Sequence, residues 1–428
     1  MPVQKSVKKI GIMGFFGYGN LGDAAVQETV LQRIREYVPD AEIFGFSLNP
    51  SDTEARHGIK SFPITRMNSD SAAMDSKSSN GLSRIGNWFK FHPNPRLRTL
   101  ERWVMRLPIE LSLIMDAYKN LSGFDALIVS GSGPLQDYWA GGGPFSAPYT
   151  LLKWGIIAKS HRTKFLFISV GAGPIRAPLS KTFFKYALSL ADYRSFRDKF
   201  SKELIQSIGL NKNDPIYPDQ GWGLEVKNQS CSQVETKRQI VGIGPMGYFR
   251  EGCWPESDEA KYAYYLEKMA AFVLWLLDKE YAIMFLPGEV HFDQLVISDL
   301  IEVIRQKGEP ELEQFLLRPT ILTVDDLMAN LKVVDFVVAS RFHNILLSQL
   351  INKPVLAISY QEKIEDLMTE VGQNDYFEKI GQFEVETLKE KFSSLEINRE
   401  EILNNVAHKA REYQASLKEQ YKKVFQLI

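Results

Sequence analysis

Short apolar runs alternate with stretches of helical period along most of the chain. Lys8–Gly14, Ala41–Ser47, Asp125–Ser130 and Lys164–Val170 read as buried strands. Between them, Asp23–Val38 carries Ala25, Val26, Val30, Leu31, Ile34 and Val38 at helical spacing, and Ala147–Ser160, Lys181–Ala191 and Arg197–Ile208 read as further helices. A strand–helix–strand opening of this kind predicts a parallel sheet covered by helices. The polar stretch Lys227–Lys237 interrupts the pattern, which then resumes with strands at Ile240–Gly244, Tyr281–Pro287, Val333–Ala339 and Pro354–Ser359. Helices are expected at Ala260–Lys279, His291–Arg305 and Phe342–Ile351. A last helix, Arg399–Leu427, places Ile402, Val406, Ala410, Tyr413, Leu417, Tyr421 and Val424 on one stripe. The organisation is α/β in two halves: residues 1–230, residues 237–395 and a C-terminal helix over 398–428. A ligand is expected at the carboxyl ends of the strands, in the crevice between the halves.

One segment breaks the pattern. Residues 65–83 are rich in serine and poor in large apolar side chains, and read as a mobile loop. The following stretch, 84–106, carries Arg84, Lys90, Arg96, Arg98, Arg102 and Arg106 against Glu101, with Trp88, Phe89, Phe91, Leu97 and Trp103 interleaved. It reads either as a surface hairpin or as a contact for an anionic membrane face. The rest of the chain is balanced, with 51 Lys+Arg against 52 Asp+Glu and a net charge of −1, which argues against a nucleic-acid binder. Two cysteines cannot make a disulfide framework or a four-ligand zinc site. No apolar run reaches the roughly 18 residues that span a bilayer, and Lys5–Phe16 lacks a cleavage site, so the expected location is cytoplasmic, with the inner membrane face open through 84–106.

The chemistry-bearing residues sit where strands end. Gly14–Asp23 contains Gly17, Gly19 and Gly22 at G-x-G-x-x-G spacing. The second strand ends at Phe46-Ser47-Leu48-Asn49-Pro50 without the carboxylate a dinucleotide ribose requires, and Asp23 puts negative charge where a pyrophosphate would sit. A tight turn lining the crevice, with Asn20 or Asp23 capping the helix, is the better reading. Ser130–Asp137 is a second glycine turn, whose Gln136 and Asp137 suit sugar hydroxyls. Ser169–Arg176 is a third, with Arg176 at its exit. Ala339-Ser340-Arg341-Phe342-His343-Asn344 is the strongest motif. It sets an arginine fork and a histidine at the junction of a buried strand and a helix, which suits an anion and a proton transfer. Lys363 follows the strand end Ile358–Tyr360, and His291 with Asp293 follows Pro287; two ligands make a weak metal site, and no metal is expected.

Taken together, Gly19-Asn20-Leu21-Gly22-Asp23, Gly131–Asp137, Val170–Pro174, Arg197-Asp198, Pro218-Asp219, Ser340-Arg341-Phe342-His343, Lys353-Pro354-Val355 and Ser359-Tyr360 resemble the polysaccharide pyruvyl transferase family in kind and order. The resemblance implies a GT-B-like fold of two Rossmann-like domains with an interdomain cleft and a C-terminal helix returning to the first domain. It implies an enzyme that moves the pyruvate group of phosphoenolpyruvate onto saccharide hydroxyls as a ketal, in cell-surface or exopolysaccharide biosynthesis. Phosphoenolpyruvate is then a co-substrate, and no cofactor is needed. Arg341 and His343 match the donor-site motif, with Arg176, Lys363 and Ser340 as further donor contacts and His343 as the acid. Asn20, Asp23, Gln136, Asp137 and His291 line the acceptor side. Ser132 interrupts a run that is often all glycine, and Gln220-Gly221 stands where Pro-Ala often follows Pro-Asp; both bear on the acceptor. Two other readings stay open: a GT-B glycosyltransferase using a sugar nucleotide, and a non-catalytic saccharide-binding protein on the same fold. The acceptor's lipid linkage and a homo-oligomeric state are also open.

Overall fold

The computed structural model describes residues 7–65, 95–131, 133–137, 142–227, 236–254 and 256–428, with the backbone alone over 95–107. The chain divides into two compact units, one of Met1–Tyr18, Val38–Ile216 and Gln426–Ile428, the other of Gly19–Tyr37 and Tyr217–Phe425. Each holds a six-stranded sheet in which every pairing is parallel.

In the first unit the strands are β1 (Lys9–Met13), β2 (Glu42–Ser47), β3 (Ser61–Pro63), β4 (Ala126–Val129), β5 (Lys164–Val170) and β6 (Tyr193–Phe196), in the order β3-β2-β1-β4-β5-β6. This is the doubly wound order of dinucleotide-type folds, with its switch point between β1 and β4. The strands read as continuous apolar runs because helices cover both faces. Gly11 is required in β1: a Cβ there would lie 2.6 Å from the Phe46 ring of β2. Phe46 in turn meets Phe124 and Trp154 edge-on, at 5.5 and 5.0 Å, in the core.

The second unit repeats the plan. Strands β7 (Ile240–Gly244), β8 (Ala282–Phe285), β9 (Leu316–Leu317), β10 (Phe336–Ala339), β11 (Val355–Ser359) and β12 (Phe377–Lys379) lie in the order β12-β11-β10-β7-β8-β9. Read from β9, this is the same winding, and the switch point falls between β7 and β10. Helices α1 (Leu21–Tyr37), α2 (Pro50–His57), α3 (Pro95–Asn120), α4 (Ala147–Ser160), α5 (Pro178–Ser189), α6 (Lys199–Ser207), α7 (Glu259–Asp278), α8 (Phe292–Lys307), α9 (Val324–Val333), α10 (Phe342–Leu350), α11 (Glu362–Glu370), α12 (Val385–Ile397) and α13 (Arg399–Phe425) complete the described elements.

The expected strands and helices of both halves form, within a few residues of their predicted ends. The division between them is drawn differently. The units part at Ile216 rather than near 230, and α1, expected to cover the first sheet, groups with the second unit. There it packs on the 3-10 turn Gln220–Gly223, on α9 and on α10. Leu21, Ala25, Val26, Val30, Leu31 and Ile34 are buried, and so is Arg33, so burial extends well around the helix rather than along one stripe. Helix α13 also groups with the second unit up to Phe425, and only its last neighbours, 426–428, group with the first. Its buried stripe is the expected one except at Tyr413, which is half-buried against Trp222 at 5.3 Å. The expected mobile loop lies outside the described residues apart from its first residue, and so do residues 84–94 of the basic stretch. Residues 95–106 belong to helix α3, which replaces the expected hairpin there. Among the described residues no helix is long and apolar enough to cross a membrane.

Candidate active site

In the second unit, three chain segments converge at the carboxyl ends of β7, β8 and β10. The first is the start of α1. Asn20 accepts hydrogen bonds through Oδ1 from the amides of Gly22 (2.9 Å) and Asp23 (3.2 Å), and so caps the helix. The second is 288–290 after β8, which the first joins edge to edge: the Leu21 amide donates to the Gly288 carbonyl and the Val290 amide to that of Gly19, both at 2.9 Å. Gly19 has φ +78°, and a Cβ there would meet Glu289 Oε1 at 2.8 Å and the His291 ring at 3.1 Å. Only glycine fits both the dihedral and the space.

The third segment is Ser340–His343, between β10 and α10. The Ser340 amide donates to the Gly244 carbonyl at 3.0 Å, extending the β7–β10 pairing past the strand ends. Arg341 then turns its guanidinium onto Asp293 near the start of α8, with Nε to Oδ2 at 3.1 Å and Nη2 to Oδ1 at 2.5 Å. Asp293 is wholly buried, and its Oδ2 also accepts the amides of Gly288 and Glu289, both at 2.9 Å. The arginine side chain keeps about a quarter of its surface, 25%. Burial opposes its charge, but Asp293 outweighs this and holds the guanidinium protonated beyond its ordinary range. Two of its five N–H bonds are spent on the carboxylate. The result is a fixed cation at the switch point of the sheet.

His343 lies two residues further on, 8% exposed. A Cβ on Gly22 would lie 2.0 Å from its Nδ1, so the third glycine of the G-x-G-x-x-G spacing serves the contact between α1 and this imidazole rather than a pyrophosphate. Nε2 faces the Asp219 carboxylate, 4% exposed, at 3.6 Å, outside hydrogen-bond range. Asp219 also caps the turn Gln220–Gly223 by accepting the Gly221 amide at 2.9 Å.

The remaining candidates separate by unit. Lys363, half-buried in the first turn of α11, sets its ammonium 5.3 Å from the centre of the Phe342 ring. Asp23 and Arg341 both act electrostatically on Tyr360, whose phenol burial pushes up. His291 is exposed beside Gly19. Thus Asn20, Asp23, His291, Ser340, Arg341, His343 and Lys363 all belong to the second unit. Gln136, Asp137 and Arg176 belong to the first. Gln136 lies between two glycines: a Cβ would meet it at 3.3 Å from Gly133 and at 2.7 Å from Gly173. Asp137, 5% exposed, accepts the backbone amides of Arg176 and Ala177, both at 2.9 Å. These bonds pull its carboxyl below the usual aspartate range against the effect of burial. The aspartate expected to meet sugar hydroxyls is therefore committed to backbone ahead of α5. The Arg176 side chain is exposed.

The sequence reading missed the carboxylate that organises the site. Asp293 stood beside His291 as half of a weak metal pair, whereas its partner is Arg341, 48 residues away. Among the described residues no three His, Cys, Asp or Glu side chains gather as a metal-holding group. Asp219 and Tyr360 lay within quoted motifs, and that placement was the available signal.

Several solved structures share this fold. A UDP-N-acetylglucosamine 2-epimerase described as putative, from Listeria monocytogenes, superposes with a TM-score of 0.58 at 11% identity over 98% of each chain. The S. aureus MnaA–UDP co-structure gives 0.54 at 14% identity, covering 96% of this chain and 92% of that one. The Neisseria meningitidis UDP-GlcNAc 2-epimerase bound to UDP-GlcNAc gives 0.54 at 10% identity over 94% of each. At such identities the likeness establishes a GT-B-like α/β fold. No curated protein matches the chain. The sequence profile of the polysaccharide pyruvyl transferases matches residues 20–362, from the cap of α1 past Arg341, His343 and Tyr360 to the start of α11, and the chain belongs to that family.

Proposed function

We propose that this family member transfers the pyruvate group of phosphoenolpyruvate to saccharide hydroxyls. The observation that carries the reading is the Arg341–Asp293 pair at the β7–β10 switch point. Phosphoenolpyruvate has a carboxylate and a phosphate close together and requires an oriented, permanently charged donor. Arg341 meets that requirement, at the N-terminus of α10, with Lys363 on the next helix of the same unit.

Transfer requires a proton on the methylene carbon, which makes C2 electrophilic. A sugar hydroxyl then adds to C2 and gives up its proton, phosphate leaves with the electrons of its C–O bond, and a second hydroxyl closes the ketal. His343 is the proton donor in this scheme, with the Asp219 carboxylate facing its Nε2 at 3.6 Å. The step requires no redox cofactor.

The test is phosphate release from phosphoenolpyruvate across a panel of saccharide acceptors, free and lipid-linked, with UDP-sugars in a parallel arm. Acceptor-dependent phosphate release that falls by about 10²–10⁴-fold in His343→Gln supports the reading. Transfer from a UDP-sugar with no phosphoenolpyruvate turnover would replace it with the glycosyltransferase.

A further inference from the structure

The segment 245–258 leaves the carboxyl end of β7 and carries Tyr248, Phe249 and Trp254. Strand β7 is one neighbour of β10, and β11, which ends at Ser359 just before Tyr360, is the other. Rings from both flanks meet beyond the end of β10. Trp254 lies 5.4 Å from Tyr248, 5.8 Å from Phe249 and 5.7 Å from Tyr360, at interplanar angles of 73°, 40° and 75°. Among the described residues no ring is stacked parallel on Trp254, and all four side chains are half-buried rather than enclosed in the core. Arg341 rises from the strand between them.

Phe249 and Arg250 are tied to α7, its N-cap Asp258 and α8. Arg250 Nε and the Tyr262 hydroxyl both donate to Asp299 Oδ2, at 3.0 and 2.7 Å. The Asp258 amide donates to the Phe249 carbonyl at 3.0 Å, and the Lys261 ammonium sits 4.5 Å from the Phe249 ring centre. Phe249 itself has φ +57°, a conformation costly for a bulky residue and kept only where the surroundings impose it. A half-open aromatic group beside a cation is the composition of a small-molecule site. Rings offer their faces to the C–H side of a pyranose.

We propose that Trp254, with Tyr248, Phe249 and Tyr360, is the platform on which the ring of the acceptor saccharide stacks, beside the donor site at Arg341. The partner's identity rests on the transferase reading above. The platform is tested by saturation-transfer NMR on the full chain with methyl glycosides of glucose, galactose, mannose and their N-acetylamino counterparts, alongside calorimetry with phosphoenolpyruvate.

Wild type should bind at least one glycoside through its ring C–H protons. Trp254→Ala should weaken that binding about tenfold or more, Trp254→Phe should retain most of it, and phosphoenolpyruvate affinity should stay unchanged in both. Thermal melting with phosphoenolpyruvate checks that each variant is folded; if Trp254→Ala is not, the Phe variant is compared with Trp254→Leu. Glycoside binding that is absent in wild type, or equal in wild type and Trp254→Leu, overturns the platform. So does Trp254-dependent binding of UDP with no glycoside bound. Glycoside binding through Trp254 without any phosphoenolpyruvate turnover would keep the platform and overturn the pyruvyl transfer.

Discussion

At the scale of the residue, the site depends on one buried carboxylate. Asp293 holds two backbone amides and the Arg341 fork at once, so an aspartate elsewhere on the surface cannot replace it. Breaking a buried ion pair by removing one partner costs ~3–5 kcal/mol, because the other charge is left uncompensated. Asp293→Asn is predicted to lower the melting temperature and to weaken phosphoenolpyruvate binding together, read by thermal unfolding and calorimetry. Weakened binding without lost stability would mean that Asp293 only aims the arginine. A second residue prediction concerns pH. The Asp137 carboxyl is held below its ordinary pKa in the folded state, so it binds its proton less readily folded than unfolded. Its contribution is therefore present above the unfolded aspartate pKa of about 4 and is lost as the pH falls through the lower folded value. Denaturant unfolding at pH 7 should show Asp137→Asn less stable than wild type, and the gap should narrow on acidification below about pH 4.

At the scale of the element, caps decide where helices start and what they touch. Asn20 caps α1 through two amides at the point where 19–21 pairs with 288–290. Thr323 and Asp326 form a reciprocal capping box at the start of α9, and Arg341 and Asp293 have no part in it. Removing either cap costs ~1 kcal/mol. Asn20→Ala and Thr323→Ala should therefore lose similar stability in urea. Only Asn20→Ala should also slow turnover, because α1 packs its Gly22 against His343. Equal turnover in the two variants would separate the α1 cap from the chemistry.

At the scale of the whole molecule, two units of similar winding carry the candidate residues unequally. Seven of the residues named as candidates lie in the second unit, six on segments that begin at Gly19, Gly288 and Ser340 and Lys363 on α11. Hydrogen-exchange mass spectrometry should therefore show phosphoenolpyruvate protecting peptides that contain 288–293 and 340–343 before any in 38–216. Protection confined to peptides around Arg176 would move the donor site to the first unit.

The alternation of apolar runs and helical periods marked the four central strands of each sheet, because a strand buried on both faces has to be apolar throughout, while the short edge strands β3, β6, β9 and β12 carry too few apolar residues to show in it. It placed Arg341 and His343 at a strand end, because that junction is local in the chain. The family motifs likewise carried the positions of Asp219 and Tyr360. The folded chain decided the rest. That α1 belongs with the second unit rests on amide–carbonyl bonds between Gly19–Leu21 and Gly288–Val290, and backbone pairing over such a distance leaves no mark in composition or period. That Asp293 holds Arg341, and that Asp137 holds the backbone amides of Arg176 and Ala177, also follows from which groups meet in space. An aspartate reads the same in sequence whether its oxygens face solvent, an amide or a guanidinium; burial and geometry alone distinguish them.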